Sequence, residues 1–154
     1  MFYRKILLAV SFLFFAAAPV LAETVIDLDI VADTTWTKAM SPIIIKSSAR
    51  NDYVRRVVNG ATLTIEPGVE VRFDSGMSLE VSSQCLRAFG GETCYRDKEE
   101  NLKIPKLVAR GTSTDPIIFT SNNQKTPQAE DWGSVLLDSR DNEVEWVEFR
   151  YGGQ

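Results

Sequence analysis

The sequence of 154 residues contains no histidine and only 2 cysteines. Without histidine the chain has no imidazole to act as a general base, to complete a Ser/His/Asp or Cys/His nucleophile pair, or to bind zinc. Glycine (9 residues) and proline (6 residues) are too few for a collagen-like or low-complexity chain, and 44% of the residues are apolar. The composition therefore predicts one folded domain and excludes catalysis by a histidine of this chain.

Long apolar segments are missing from the chain except at its beginning. Arg4 and Lys5 precede an uncharged run rich in Leu, Phe and Ala, which ends in a Pro-Val-Leu-Ala sequence at Ala22. This pattern predicts a secretory signal peptide over residues 1–22, cleaved before Glu23. An uncleaved anchor is the alternative, but the run falls short of the roughly 20 apolar residues that cross a bilayer. We expect a secreted protein of the periplasm, cell surface or extracellular space, with no membrane span after signal removal.

Positive charge is also scarce. The chain has 17 Lys and Arg against 21 Asp and Glu, a net charge of −4, and loss of the two basic residues of the leader leaves −6. Binding to nucleic acid requires clustered Lys and Arg. The nearest approach to a cluster is Arg55-Arg56, which we interpret as two solvated side chains on a strand. No nucleic-acid partner is expected.

The two cysteines, Cys85 and Cys94, are close in sequence and enclose a polar segment with Gly90-Gly91, where the chain can turn back. In an oxidising compartment such a pair usually forms an intrachain disulfide, which we expect here. The alternative, a pair of metal thiolates, would need two further ligands that no histidine or third cysteine supplies.

Apolar and polar residues alternate in several short segments. These segments are residues 62–65, 69–73, 78–82, 106–109, 117–120, 134–137 and 144–151. A period of two predicts strands with one buried face, and no helix-period stripe of useful length occurs, so the sequence predicts an all-β protein. Tight corners such as Glu66-Pro67-Gly68 join the strands. Short strands with such corners favour a chain that winds around an axis, with parallel pairing one turn later.

The sequence Asn-Gly-Ala-Thr-Leu-Thr-Ile-Glu-Pro-Gly-Val-Glu-Val-Arg-Phe at residues 59–73 resembles the repeated core of bacterial secreted right-handed parallel β-helix proteins, the non-enzymatic surface-protein branch of the pectin-lyase-like superfamily. Further segments that fit the same register are residues 33–36, 107–112, 115–121, 131–133 and 145–153. The resemblance implies a solenoid of about three coils, incomplete at its C-terminus. It places an N-terminal cap or lead-in at 23–35 and the β-helix at 36–154. The cysteine-bounded insertion at 84–104 departs from the family pattern.

The resemblance implies an exported non-catalytic scaffold, the N-terminal part of a cell-surface or extracellular protein, involved in adhesion or in binding glycans or other surface components. The alternative is a carbohydrate-active enzyme, a polysaccharide lyase or hydrolase, or a fragment of one, since this fold hosts both classes. Candidate residues for a calcium or carbohydrate site are Asp131, Asp138, Asp141 and Glu143. For residues 138–142 an ordinary polar turn is the favoured interpretation. No catalytic residue is assigned. We expect no cofactor, and bound calcium is the alternative.

Three tryptophans, Trp36, Trp132 and Trp146, are too scattered in sequence to predict a sugar-stacking platform, so we expect packing roles for them. The sequence stops at Gln154 without a polar cap, which would leave the apolar column of the last coil open. A shortened gene, a longer surface protein and self-association through the open coil are the three interpretations, and the second is favoured.

Overall fold

The computed structural model describes residues 23–48, 52–82, 86–88, 91–93 and 104–153. The expected signal peptide, including Ala22, lies outside the described residues, and so do Cys85 and Cys94. Signal cleavage and the disulfide therefore stay predictions. The hairpin whose strands flank Gly90 is described, and it pairs Leu86 with Thr93, the sequence neighbours of the two cysteines.

The described residues form β-strands and one three-residue 3₁₀ helix, Lys38–Met40, with no α-helix. No helix in this part of the chain has the length and apolar character needed to span a membrane. The strands are β1 (Thr24–Ile26), β2 (Thr34–Trp36), β3 (Ile43–Ile45), β4 (Val54–Val57), β5 (Thr62–Ile65), β6 (Glu70–Phe73), β7 (Ser78–Ser82), β8 (Leu86–Ala88), β9 (Gly91–Thr93), β10 (Lys106–Arg110), β11 (Ile117–Ser121), β12 (Val135–Asp138), β13 (Glu143–Glu145) and β14 (Val147–Phe149). The all-β prediction is confirmed.

Three parallel sheets contain every described strand except the β8–β9 hairpin, which is antiparallel. The first sheet has the order β1-β3-β6-β11-β14, the second β2-β5-β10-β13, and the third β4-β7-β12. From β3 onwards the chain enters the first, third and second sheets in turn, and it repeats this order up to β14, with the hairpin inserted after β7. The expected parallel pairing between strands of successive passages is confirmed.

Because the parallel pairing is in register, the inward apolar residues of neighbouring strands lie above one another. In the first sheet Ile43 pairs with Val71, Val71 with Phe119, and Phe119 with Phe149. The first three of these side chains are fully buried. Alternation within each strand sends every second side chain into this column, and burial of its apolar area is the main stabilising contribution.

Stacked aromatic rings pack within the column near its C-terminal end. Phe73 and Trp132 stack with ring centroids 4.3 Å apart, and Phe119 and Phe149 stack at 5.2 Å. Phe73 and Phe119 contact each other in a tilted arrangement at 6.0 Å. The packing roles expected for Trp36 and Trp132 are confirmed, since both side chains are buried.

The segment 144–151, read as a single strand in the sequence, is two strands in two different sheets. Trp146 forms the corner between β13 and β14 with a φ of 50°, a left-handed conformation that breaks the strand. Its carbonyl comes so close to Gly111 that a Cβ on Gly111 would lie 2.4 Å from the oxygen. Trp146 is 62% exposed, so the packing role expected for this tryptophan is wrong.

The interpretation of Arg55 as a solvated side chain is also wrong. In its strand, β4, Arg55 is 1% exposed and takes an inward position beside Leu79. The guanidinium donates to both carboxylate oxygens of Asp52, at 2.6 and 3.1 Å, and to the carbonyl of Lys46 at 2.9 Å. Arg56 points outward and pairs with Glu80 at 3.1 Å.

Replacing Trp132 with phenylalanine is expected to lower the free energy of unfolding by about 2 kcal/mol more than replacing Trp36 with phenylalanine. The Nε1 of Trp132 donates to the carbonyl of Arg150 at 2.8 Å, so its loss leaves that carbonyl unpaired. The buried Nε1 of Trp36 has no partner among the described residues, so its removal breaks no hydrogen bond. Both replacements shrink a buried ring equally, and urea denaturation compares them. Equal destabilisation would contradict the prediction.

Candidate functional site

A polar cavity of about 270 Å³ lies at the corner between the first and third sheets. It is lined by Asp74, Ser75, Ser121, Asn122, Asn123 and Asp131. The turn between β6 and β7 supplies the first two residues. Ser121 is the last residue of β11, and the loop from β11 to β12 supplies the other three. All six lining side chains are polar, so the cavity suits a ligand that forms hydrogen bonds.

The sheet register brings Asp74 and Asn122 together. Phe73 pairs with Ser121, and the backbone N–H of Asn122 donates to the carbonyl of Phe73 at 2.8 Å, which continues the pairing past the strand ends. The side-chain amide of Asn122 then donates to Oδ1 of Asp74 at 2.8 Å. This contact joins residues 48 positions apart in sequence and fixes one wall of the cavity.

Asp131, another residue that lines the cavity, is held by several hydrogen bonds. Its Oδ2 accepts hydrogen bonds from the hydroxyl of Ser121 at 2.8 Å and from the backbone N–H of Gln128 at 3.0 Å. The backbone of Asp131 receives a bond from the N–H of Gly76 and donates one to the carbonyl of Tyr151. The loop is thereby tied to the turns on both sides of it, and the carboxylate is held in one position.

One oxygen of each carboxylate carries these contacts. Among the described residues, Asn122 donates to Oδ1 of Asp74, and Ser121 and Gln128 donate to Oδ2 of Asp131. The second oxygen of each carboxylate and the carbonyl oxygen of the Asn122 amide are hydrogen-bond acceptors, which can bind hydroxyl or amine donors of a ligand. Fixed carboxylate and amide groups of this kind can orient a ligand that carries several hydroxyls.

The structure separates Asp131 from the other three predicted site residues. Asp138 ends β12, Asp141 lies in the following turn with a φ of 63°, and Glu143 begins β13, where it forms an ion pair with Arg110. In the part of the chain that is described, no three His, Cys, Asp or Glu side chains lie together in a group that could hold a metal ion.

The turn after β12 has the hydrogen bonds of a structural connection. The amide of Asn142 donates to the carbonyl of Ser139 at 2.8 Å, and its Oδ1 accepts from the N–H of Leu107 at 2.8 Å. Asn142 therefore ties the turn to the neighbouring strand β10, as expected of an ordinary polar turn.

Asp74, Ser121 and Asn122 were not identified as site residues from the sequence. A usable signal was present, because a polar residue follows an inward Phe73 at the end of one strand and an inward Ser121 at the end of another. This pattern indicates a site only when β6 and β11 are known to be neighbours in register.

No family model, no curated protein and no solved structure matches this chain.

Proposed function

We propose that the three parallel sheets are the faces of a right-handed parallel β-helix, in which one passage through the three sheets makes one coil. The repeating sheet order and the residue-over-residue register support this arrangement. Parallel strands joined by a crossover connect with right-handed geometry in nearly all proteins, which supports the handedness. Membership of the pectin-lyase-like superfamily, in its surface-protein branch, is part of the proposal and rests on the resemblance of residues 59–73.

The proposed function is that of an exported scaffold which binds a glycan at the cell surface or outside the cell. The leader-like first 22 residues support export. The observation that carries the glycan proposal is the corner cavity, since its volume suits a single sugar unit and its lining offers carboxylate, amide and hydroxyl groups. Adhesion to a glycan-covered surface is the role that follows.

The charge of the site selects the class of glycan. Two carboxylates, Asp74 and Asp131, face the cavity, and the exported chain carries a net charge of −6. Like charges raise the free energy of binding an acidic polysaccharide. Neutral sugars and amino sugars are therefore the proposed ligands, with their hydroxyl or ammonium groups donating to the two carboxylates.

A glycan array followed by titration of the strongest ligand tests the proposal. Asp74→Ala is expected to raise the Kd at least tenfold, because it removes one carboxylate and the partner of Asn122. Asp27→Ala is the matched control, since Asp27 is an exposed aspartate away from the cavity, and its Kd is expected to stay unchanged. Each titration is repeated with calcium and with EDTA, because carboxylate oxygens are calcium ligands.

Two results would contradict the glycan proposal. One is an array with no neutral or amino sugar bound by the folded chain. The other is an equal loss of binding in the Asp74 and Asp27 variants. Circular dichroism of each variant confirms that the sheets are retained before binding is compared.

A polysaccharide hydrolase is the second candidate, favoured by the pair of carboxylates on one cavity. Hydrolysis of a glycosidic bond needs one carboxyl group as acid and another as nucleophile or base. Asp74 and Asp131 are the only two carboxylate residues among those lining the cavity. Release of reducing sugars that is lost in Asp74→Ala would support this candidate, and release of unsaturated sugars from acidic polysaccharides would instead indicate a lyase.

A further inference from the structure

Two connections of unequal length border the corner cavity. Residues 74–77 join β6 to β7, whereas residues 122–134 join β11 to β12. The extra length lies in residues 123–130, which we call the corner loop, and every residue of this loop except Pro127 is exposed. Exposed loops at a site commonly carry the groups that recognise a ligand. The conformation of the corner loop therefore has to be fixed by contacts other than the strand pairing.

One buried hydroxyl group holds both ends of the corner loop. The Oγ of Ser121 accepts a hydrogen bond from the backbone N–H of Asn123 at 2.9 Å, where the loop begins. The same hydroxyl donates to Oδ2 of Asp131 at 2.8 Å, at the residue that follows the loop. Because Ser121 is 1% exposed, these two hydrogen bonds lie where water is excluded and are strengthened by the low local dielectric.

The carboxylate of Asp131 extends this hold into the loop. Its Oδ2 accepts from the hydroxyl of Ser121 and also from the backbone N–H of Gln128 at 3.0 Å. Ser121 therefore acts on Gln128 through the carboxylate that both of them bind. Between the anchored ends, the side-chain amide of Asn123 donates to the carbonyl of Thr126 at 2.8 Å and accepts from its N–H at 3.3 Å.

The place of Ser121 in the inner column separates its hydroxyl from any packing role. Ile45 pairs with Phe73, and Phe73 pairs with Ser121, and the first two side chains are apolar and fully buried. Trp132 stacks on Phe73 and fills part of the space beside that ring, so a small side chain suffices at position 121. Alanine would supply this size, whereas a buried hydroxyl costs free energy unless it is hydrogen-bonded. The contacts to the cavity residues account for the hydroxyl.

We propose that Ser121 is a positioning residue of the corner cavity, and that its hydroxyl fixes the Asp131 carboxylate and the corner loop in the arrangement that binds a sugar. Groups that are ordered before binding lose less conformational entropy when the ligand binds, which raises the affinity. The inference rests on the proposed glycan binding and names the residue that sets the affinity of the same site.

Amide hydrogen exchange of the free exported chain, measured by NMR, tests the positioning without any sugar. In Ser121→Ala the N–H of Asn123 loses its acceptor, and the acceptor of the Gln128 N–H loses its anchor. Both N–H groups are expected to exchange at least about tenfold faster than in the wild type. The N–H of Ile118, which donates to the carbonyl of Val69 at 3.0 Å, is expected to exchange at the wild-type rate.

Titration with glucosamine and with glucose, one amino sugar and one neutral sugar, tests the effect on binding. Ser121→Ala is expected to raise the Kd of the bound sugar at least about fivefold, and Asp131→Ala at least about tenfold. The double variant is expected to bind no more than about twofold more weakly than Asp131→Ala, because Ser121 acts through that carboxylate. A merely structural role of Ser121 would make the two effects multiply.

Ser41→Ala is the matched control. Ser41 is also buried, and its hydroxyl accepts a hydrogen bond from the backbone N–H of Glu70 at 2.9 Å. It lies in the connection between β2 and β3 and does not line the cavity. The exchange rates at Asn123 and Gln128 and the Kd of both sugars are expected to equal those of the wild type. Circular dichroism establishes that all variants keep their sheets.

Three results would overturn the inference. Unchanged exchange at Gln128 in Ser121→Ala would show that Asp131 is held without the hydroxyl. Multiplying effects in the double variant would show that Ser121 does not act through Asp131. Equal changes in Ser41→Ala would indicate a general loosening of the sheets. A wild-type chain that binds neither sugar, while Ser121→Ala still shows the faster exchange, would count against the proposed function alone.

Discussion

Replacing Phe73 with alanine is expected to lower the free energy of unfolding by about 3–5 kcal/mol. The ring is fully buried, stacks on Trp132 and contacts Phe119, so truncation loses apolar burial and opens a cavity between two rings. In-register packing from both sides leaves little room for the neighbours to collapse into the space. Urea denaturation followed by tryptophan fluorescence measures the change.

Tyr53 provides the control for the Phe73 variant. It is an aromatic residue that is 60% exposed, and Tyr53→Ala is expected to change the free energy of unfolding by less than about 1 kcal/mol. Comparable losses for Phe73→Ala and Tyr53→Ala would show that Phe73 does not lie within a continuous core.

Replacing Asp52 with alanine is expected to lower the free energy of unfolding by about 2–3 kcal/mol. The guanidinium of Arg55 is buried and loses its hydrogen-bonded carboxylate partner. The carbonyls of Lys46 and Val54 still accept its hydrogen bonds, and the carboxylate of Asp29 lies 3.9 Å away. The effect is smaller than for a fully buried pair because the side chain of Asp52 is 41% exposed.

Removing the buried charge as well should restore part of this stability. Arg55→Met in the Asp52→Ala background is expected to recover about 1–2 kcal/mol, because methionine fills an inward position without needing a partner. Denaturation of the two single variants and the double variant measures the coupling. A double variant that is less stable than Asp52→Ala would contradict the buried position of Arg55.

The same pair predicts how stability depends on pH. The hydrogen bonds from Arg55 and from Ser48 lower the pKa of Asp52 from its ordinary value of 3.8. A carboxyl group whose pKa is lower in the folded state contributes stability above its unfolded pKa, and this contribution is lost as the pH falls through the folded pKa. The wild type should therefore lose more stability than Asp52→Ala when the pH is lowered from 6 towards 2.

Much of the strand pattern could be predicted from the sequence, because segments in which apolar and polar residues alternate are bounded by tight turns. The segment 62–65 carries inward Leu63 and Ile65 and is followed by Pro67-Gly68, and the structure forms β5 there. Arg55 and Arg56 were expected on a strand, but the inward position of Arg55 was not predicted, because a charged side chain is rarely buried. The carboxylate of Asp52, which accepts hydrogen bonds from the guanidinium, allows arginine at that inward position.

The candidate site was less predictable for a different reason. Asp131 was identified, but its neighbours across the cavity, Asp74 and Asn122, are brought in by register. The connection between β7 and β10 is much longer than the corners elsewhere, so the sequence does not show which later strand lies beside β6. The predicted site contained acidic residues that are close in sequence, such as Asp138 and Asp141. The residues that line the cavity are close in space but distant in sequence.

The arrangement of successive strands is tested most directly by a crystal structure of the exported chain. The proposed coils require Val71 to lie between Ile43 and Phe119, with all three strands running in the same direction and their side chains in one inner column. Antiparallel neighbours for β6, or Val71 facing solvent, would contradict the β-helix and remove the basis for the corner cavity.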